Sequence, residues 1–148
     1  MNTNKLNLKN VIAIVICLAG TMMFSGCEIF YVEEEKIPTS FFTQQGSGYQ
    51  TGVVSGENIV VKVTGSGGLT LSGTCNFAEI TLNSAGSFSG SNLEIREAEV
   101  SNMGSGSIYI WVTDRLNVKI QGSGSVYYKG NPIINSQIGG SGKLIKME

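Results

Sequence analysis

The segment Leu93–Val100, LEIREAEV, carries three carboxylates, Glu94, Glu97 and Glu99, around one arginine, Arg96. Paired carboxylates flanking a glycosidic bond are the usual machinery of glycoside hydrolysis, one protonating the leaving oxygen and the other attacking or activating water. Polysaccharide lyases need instead a carboxylate cluster for Ca²⁺ and a basic residue to take a proton. Here the acids crowd into one short segment beside a single basic residue. The whole chain contains no histidine, the commonest general base and metal ligand. The segment reads as an exposed, salt-paired strand or loop, so no catalytic residue, metal site or cofactor is assigned. An enzyme acting on extracellular polysaccharide is the runner-up reading.

Gly139–Leu144, GGSGKL, has the look of a phosphate loop. A Walker motif needs a glycine five residues before the glycine of its Gly-Lys pair, and a serine or threonine after the lysine. Gln137 and Leu144 stand there, so the motif fails. Asp114-Arg115 is expected as a turn pair between strands. The candidate binding residues are aromatic: Tyr109, Trp111 and Tyr127 offer flat rings for a sugar face or a partner protein.

A repeat must position those rings. Gly-Ser-Gly begins at Gly104, Gly122 and Gly140, and Gly65-Ser66-Gly67 and a degenerate Ser84-Ala85-Gly86 extend the series. Six residues before these anchors stand Ile59, Ala78, Ala98, Leu116 and Ile134; four after come Leu69, Phe88, Ile108, Val126 and Leu144. The positions between apolar ones are mostly Thr, Asn, Lys, Glu, Ser and Gln, which is period-2 alternation with one face buried. One repeat cannot bury its own apolar face, so neighbours must stack. The expected fold is all-β: a short right-handed parallel β-helix, or β-solenoid, with coils of about 18–20 residues. Five coils at a rung spacing of ~4.8 Å give a column of roughly 24 Å. Tyr109 and Tyr127 each lie five residues past their anchors and are expected to stack outward on adjacent rungs, with Trp111 two residues along. The corner glycines are expected to supply φ > 0, and the serines local hydrogen bonds. Gly46-Ser47-Gly48 has the right letters, but Gln50 and Gly52 follow where apolar residues belong. It is expected as a loop.

The stretch from Gly104 to Lys146 resembles the carboxy-terminal half of the GIN domain, the head domain of putative auto-transporter adhesins. Its marks are the Gly-Ser-Gly turns, the segment Val126-Tyr127-Tyr128 with Gly130 and Pro132, and the final Ile138 with Gly140-Ser141-Gly142. The likeness extends from about Asn58 to Ile145. It implies a β-helical fold in a secreted or envelope protein, and it brings no catalytic residues.

The amino terminus carries a separate signal. Lys5 and Lys9 precede an apolar run from Val11 to Phe24, which ends in Phe24-Ser25-Gly26-Cys27. That arrangement resembles the lipobox of bacterial lipoproteins, with Cys27 acylated and first in the mature chain. The expected organisation is a signal peptide over 1–26, a tether and N-terminal cap over 27–52, and the solenoid over 53–148. Glu33-Glu34-Glu35-Lys36 belongs to the solvated tether, and Phe41-Phe42 closes the first coil. Loss of Lys5 and Lys9 leaves eight basic residues against eleven acidic ones, so no basic patch for nucleic acid remains. With Cys17 in the signal and Cys27 lipidated, Cys75 stands alone and no internal disulfide forms. The expected partners are the membrane, through the lipid, and a glycan or surface protein. The reading is a non-enzymatic lipoprotein of the cell envelope, at the outer membrane, serving adhesion or scaffolding.

Overall fold

Alternating apolar and polar residues with no helical period leave the chain one regular option, the extended strand. The structure, a computed structural model, describes residues 40–148. The expected signal segment, Cys27 and the Glu33–Lys36 charge run lie outside the described residues. The described elements are β1 (Ser40–Gln44), β2 (Tyr49–Val63), β3 (Gly68–Leu82), β4 (Ser87–Asn102), β5 (Ile108–Ile120), β6 (Val126–Lys129), β7 (Ile133–Ile138) and β8 (Leu144–Lys146). All pair in parallel, in the order β1-β2-β3-β4-β5-β6-β8, with β7 also on β5.

Each pairing joins residues one full coil apart, which makes the fold a β-solenoid. Ile59 pairs with Ala78, Ala78 with Ala98, Ala98 with Leu116 and Leu116 with Ile134. The apolar columns read from the sequence are therefore physical columns. From Ile59 to Leu116 this one is sealed from solvent, as are Leu69, Phe88, Ile108 and Val126 in another. Coil length varies, and the variation is absorbed around the second bend of the coil. Register shifts occur between Thr70 and Ser72 on β3, and between Gly90 and Glu94 and between Ile95 and Glu97 on β4. Gly73 and Gly130 turn that bend in their coils with φ of +118° and +105°.

The Gly-Ser-Gly corners work differently from expectation. Gly122 and Gly124 do not adopt positive φ; of the corner glycines only Gly46 does, at +106°. Instead a Cβ on Gly122 would overlap the Gly104 carbonyl oxygen, and one on Gly124 would overlap that of Gly106. Each corner rests directly on the backbone of the corner before it. Gly124 N–H donates to the Gly104 carbonyl at 3.1 Å, and Gly142 N–H to Gly122 at 3.2 Å. Close approach demands these glycines.

The Gly46 stretch, expected as a loop, is itself a corner of the stack. Gly67 N–H donates to the Gly46 carbonyl at 2.9 Å and Gly68 N–H to Gly48 at 3.2 Å. The missing apolar side chain at Gly52 is replaced by neighbours, since Leu71 Cδ2 and Phe42 Cε1 lie 3.0 and 3.5 Å from where its Cβ would be. Among the described residues pairing begins at β1, residue 53 falls inside β2, and the corners number six where five were expected. Phe42 pairs with Val61 in an inward column and packs on the core, while Phe41 is exposed.

Two buried amides tie corners from inside. Asn102 and Gln44 share a column with Val63, Leu82 and Ile120; Asn102 Nδ2 donates to the Gly106 carbonyl at 3.0 Å and its Oδ1 accepts from Gly104 N–H at 3.2 Å. Gln44 holds the first corner likewise, Nε2 donating to Gly48 at 2.8 Å, but its buried Oε1 has no partner. At the far end Ile134 and Ile138 continue inward columns with no coil above them, and both are exposed.

Gly124→Ala is expected to lower stability by about 2 kcal/mol or more, because a backbone carbonyl cannot yield as a side chain can. Gly139→Ala, where a Cβ meets nothing within 4 Å, is the matched control and should be near neutral. Urea unfolding of both variants checks this; equal midpoints would refute the close-approach account.

Candidate functional site

The outward residues of β5 and β6 inherit the rung register. Tyr109 pairs with Tyr127 and Trp111 with Lys129. Parallel strands set neighbours ~4.8 Å apart, so identical aromatics in one column must stack. The Tyr109 and Tyr127 ring centroids are 4.7 Å apart with planes 9° from parallel. Lys129 Nζ lies 4.3 Å from the centre of the Trp111 ring, a cation–π contact. On the other side Trp111 adjoins Glu94, brought into register by the shift in β4.

The geometry joins the three predicted aromatics on one face, and all three are half-buried. It also changes what they offer. The two tyrosine rings turn faces toward each other, and Lys129 covers a face of Trp111. One face of each of the three rings is thereby taken, and the strip adds two phenolic hydroxyls and an ammonium group to the surface. Lys129 was not singled out from sequence, and Glu94 was named there only as a candidate carboxylate, not as the neighbour of Trp111. A fixed count from the anchor finds Lys129, but the three residues bulged out before Glu94 hide its neighbour.

The carboxylates of LEIREAEV do not converge. Arg96 Nε and Nη2 donate to Asp114 Oδ2 at 3.1 and 3.0 Å, and the Thr113 hydroxyl donates to Asp114 Oδ1 at 2.9 Å. The Thr113 hydroxyl first, then Arg96, hold the Asp114 carboxyl below its usual range. Arg115 Nη1 lies 3.9 Å from Glu97 Oε2. Asp114 and Arg115, expected at a turn between strands, lie within β5, and each reaches back to the preceding coil. These pairs are exposed, so each contributes little. Glu94 stands beside Trp111, and Glu99 lies in register with Glu79 and Asn117. Among the described residues no three acidic, cysteine or histidine side chains are placed to hold a metal ion. Nor is any helix there long and apolar enough to cross a membrane.

The family model for the putative auto-transporter adhesin, head GIN domain, matches residues 4–132. The chain belongs to that family. No curated protein and no solved structure matches it. The aromatic strip of this GIN domain lies inside the matched span, whereas β7 and β8 lie beyond it. Family membership points to an adhesin-like head domain at the cell surface or in the envelope, and to binding rather than catalysis.

The GIN domain's Cys75 is buried in the core without a disulfide partner, and burial pushes its thiol up to about 11. Since the thiolate is the nucleophile, Cys75 should resist iodoacetamide at pH 8 until denaturant is added, as peptide mass mapping would show. The folded value lies above the unfolded one, so the thiol's support for folding is complete below about pH 9 and is lost as pH rises toward 11. Labelling of Cys75 in the native protein would contradict this.

Proposed function

We propose that this GIN domain is a non-enzymatic interaction module of the cell envelope. A lipid on Cys27 holds it at the outer membrane, and the strip of Tyr109, Trp111 and Tyr127 docks a surface partner. The observation that carries the reading is the Tyr109–Tyr127 stack with its neighbouring Trp111–Lys129 contact. Large side chains already ordered by a rigid scaffold lose little conformational entropy on binding, which favours them as anchors. Aromatic rings with one face taken, phenolic hydroxyls and one ammonium suit a protein surface with its own apolar and acidic groups better than a sugar ring. The anchor reading is supported by the basic n-region, the apolar run and the small residues before Cys27.

Co-purification from envelope extract tests the strip. Tyr109→Ala with Trp111→Ala should cut partner recovery by about tenfold or more, a loss of about 1.4 kcal/mol, while the domain stays folded. Undiminished recovery would sink the assignment. The anchor is tested separately: Cys27→Ser should abolish incorporation of labelled fatty acid and release the protein from the membrane fraction. Continued labelling would place the lipid elsewhere.

A further inference from the structure

A second surface lies on the strand segments that lead into each Gly-Ser-Gly corner. There a groove of about 450 Å³ crosses four coils. Two outward columns form it. One runs Glu79, Glu99, Asn117 and the other Thr81, Ser101, Lys119, each residue paired to the next across adjacent rungs. Asn135 and Gln137 extend the columns by one coil. Backbone at Ile80, Val100 and Val118 makes the floor, their side chains being buried in the core. Thr81 and Ser101 are short and half-buried, which gives the groove its depth, while Glu79, Glu99 and Lys119 stand exposed around them.

The polar groups of this groove are uncommitted. Within the described residues none of these side chains makes a hydrogen bond or ion pair. Two ion pairs do join outward charges across rungs elsewhere on the solenoid, Arg96 with Asp114 and Arg115 with Glu97. Glu79 and Glu99 instead sit directly opposite one another, an arrangement that costs stability in a sheet. Retaining two like charges beside a row of free amides and hydroxyls makes sense if something outside the chain uses them.

We propose that this groove binds a linear, neutral glycan laid along the solenoid axis. The proposal deepens the reading of the domain as an envelope interaction module, but uses a surface distinct from the aromatic strip. Each rung repeats the same kinds of acceptor and donor at ~4.8 Å, which fits a ligand that itself repeats in one direction. Carboxylates accept hydrogen bonds from hydroxyls, amides both accept and donate, and Lys119 donates to ring or glycosidic oxygens. Four coils span roughly 14 Å, room for a few sugar units. With two carboxylates against one ammonium, an acidic polysaccharide or a nucleic acid is repelled.

The test is calorimetric titration of the full chain in detergent micelles with cello-oligosaccharides and N-acetylchito-oligosaccharides, and with oligogalacturonate as the acidic probe. A neutral oligomer should bind, gaining affinity with length until the groove is spanned. Ser101→Trp fills the floor with a residue that strands tolerate and should weaken binding by about tenfold or more. Asn117→Ala, which removes only a half-buried amide with no partner among the described residues, should weaken it several-fold, and Tyr109→Ala with Trp111→Ala should leave it unchanged. Three outcomes would overturn the proposal: no neutral oligomer binds, the acidic oligomer binds better, or the aromatic variant loses binding while Ser101→Trp keeps it. The first of these leaves the strip's partner untouched, because that is read by co-purification and not by sugar binding.

Discussion

The contact on which the fold depends is the seating of one corner's glycine on the carbonyl oxygen of the corner before it. At Gly122 on Gly104, Gly124 on Gly106 and Gly142 on Gly124, a side chain of any size would lift the new coil off the old one. The rest of the architecture follows from that spacing. Strands leaving a seated corner are held at hydrogen-bonding distance from those below, so Leu116 must lie beside Ala98 and Ile134 beside Leu116. The apolar columns then close without a partner sheet. Asn102 and Gln44 serve the same contact from within, holding corner carbonyls and amides that the tight turn leaves unpaired along the chain.

A stack fixed at its corners must accommodate unequal coils somewhere else. It does so around the second bend, where the extra residues of β4 bulge between Gly90 and Glu94 and the register shifts again between Ile95 and Glu97. The bulge has a consequence for the surface, since it delivers Glu94 rather than a nearer residue to the side of Trp111. Bulges commonly re-aim side chains beside sites, and here one sets the charge next to the aromatic strip.

The sequence makes the inward half of this protein readable and the outward half only partly so. Period-2 alternation on the Gly-Ser-Gly anchor gives the core columns directly, and a plain count gives the Tyr109–Tyr127 stack. The first corner was hidden because Gly52 breaks its column, and only the packed structure shows Leu71 and Phe42 occupying the space. The corner glycines were recognised for the wrong cause: their letters fit a positive φ, but their backbone does not use it. The groove could not be read at all, because it arises from the relative lengths of side chains in two columns and the missing pairings among them. Neither property belongs to any single repeat.

Register also constrains what a surface of this kind can recognise. In a parallel solenoid, matched side chains lie one above another, so each flat ring spends a face on its neighbour. The Tyr109–Tyr127 pair does so at 4.7 Å, which makes it a firm, narrow ridge. Polar side chains behave oppositely: like charges and amides in a column gain little from each other and leave their hydrogen-bonding groups open, as Glu79, Glu99 and Asn117 do. The same repeat that seals the core therefore sorts the outer faces into a ridge and a groove. On physical grounds the ridge suits a shaped partner, and the groove suits an extended polar one.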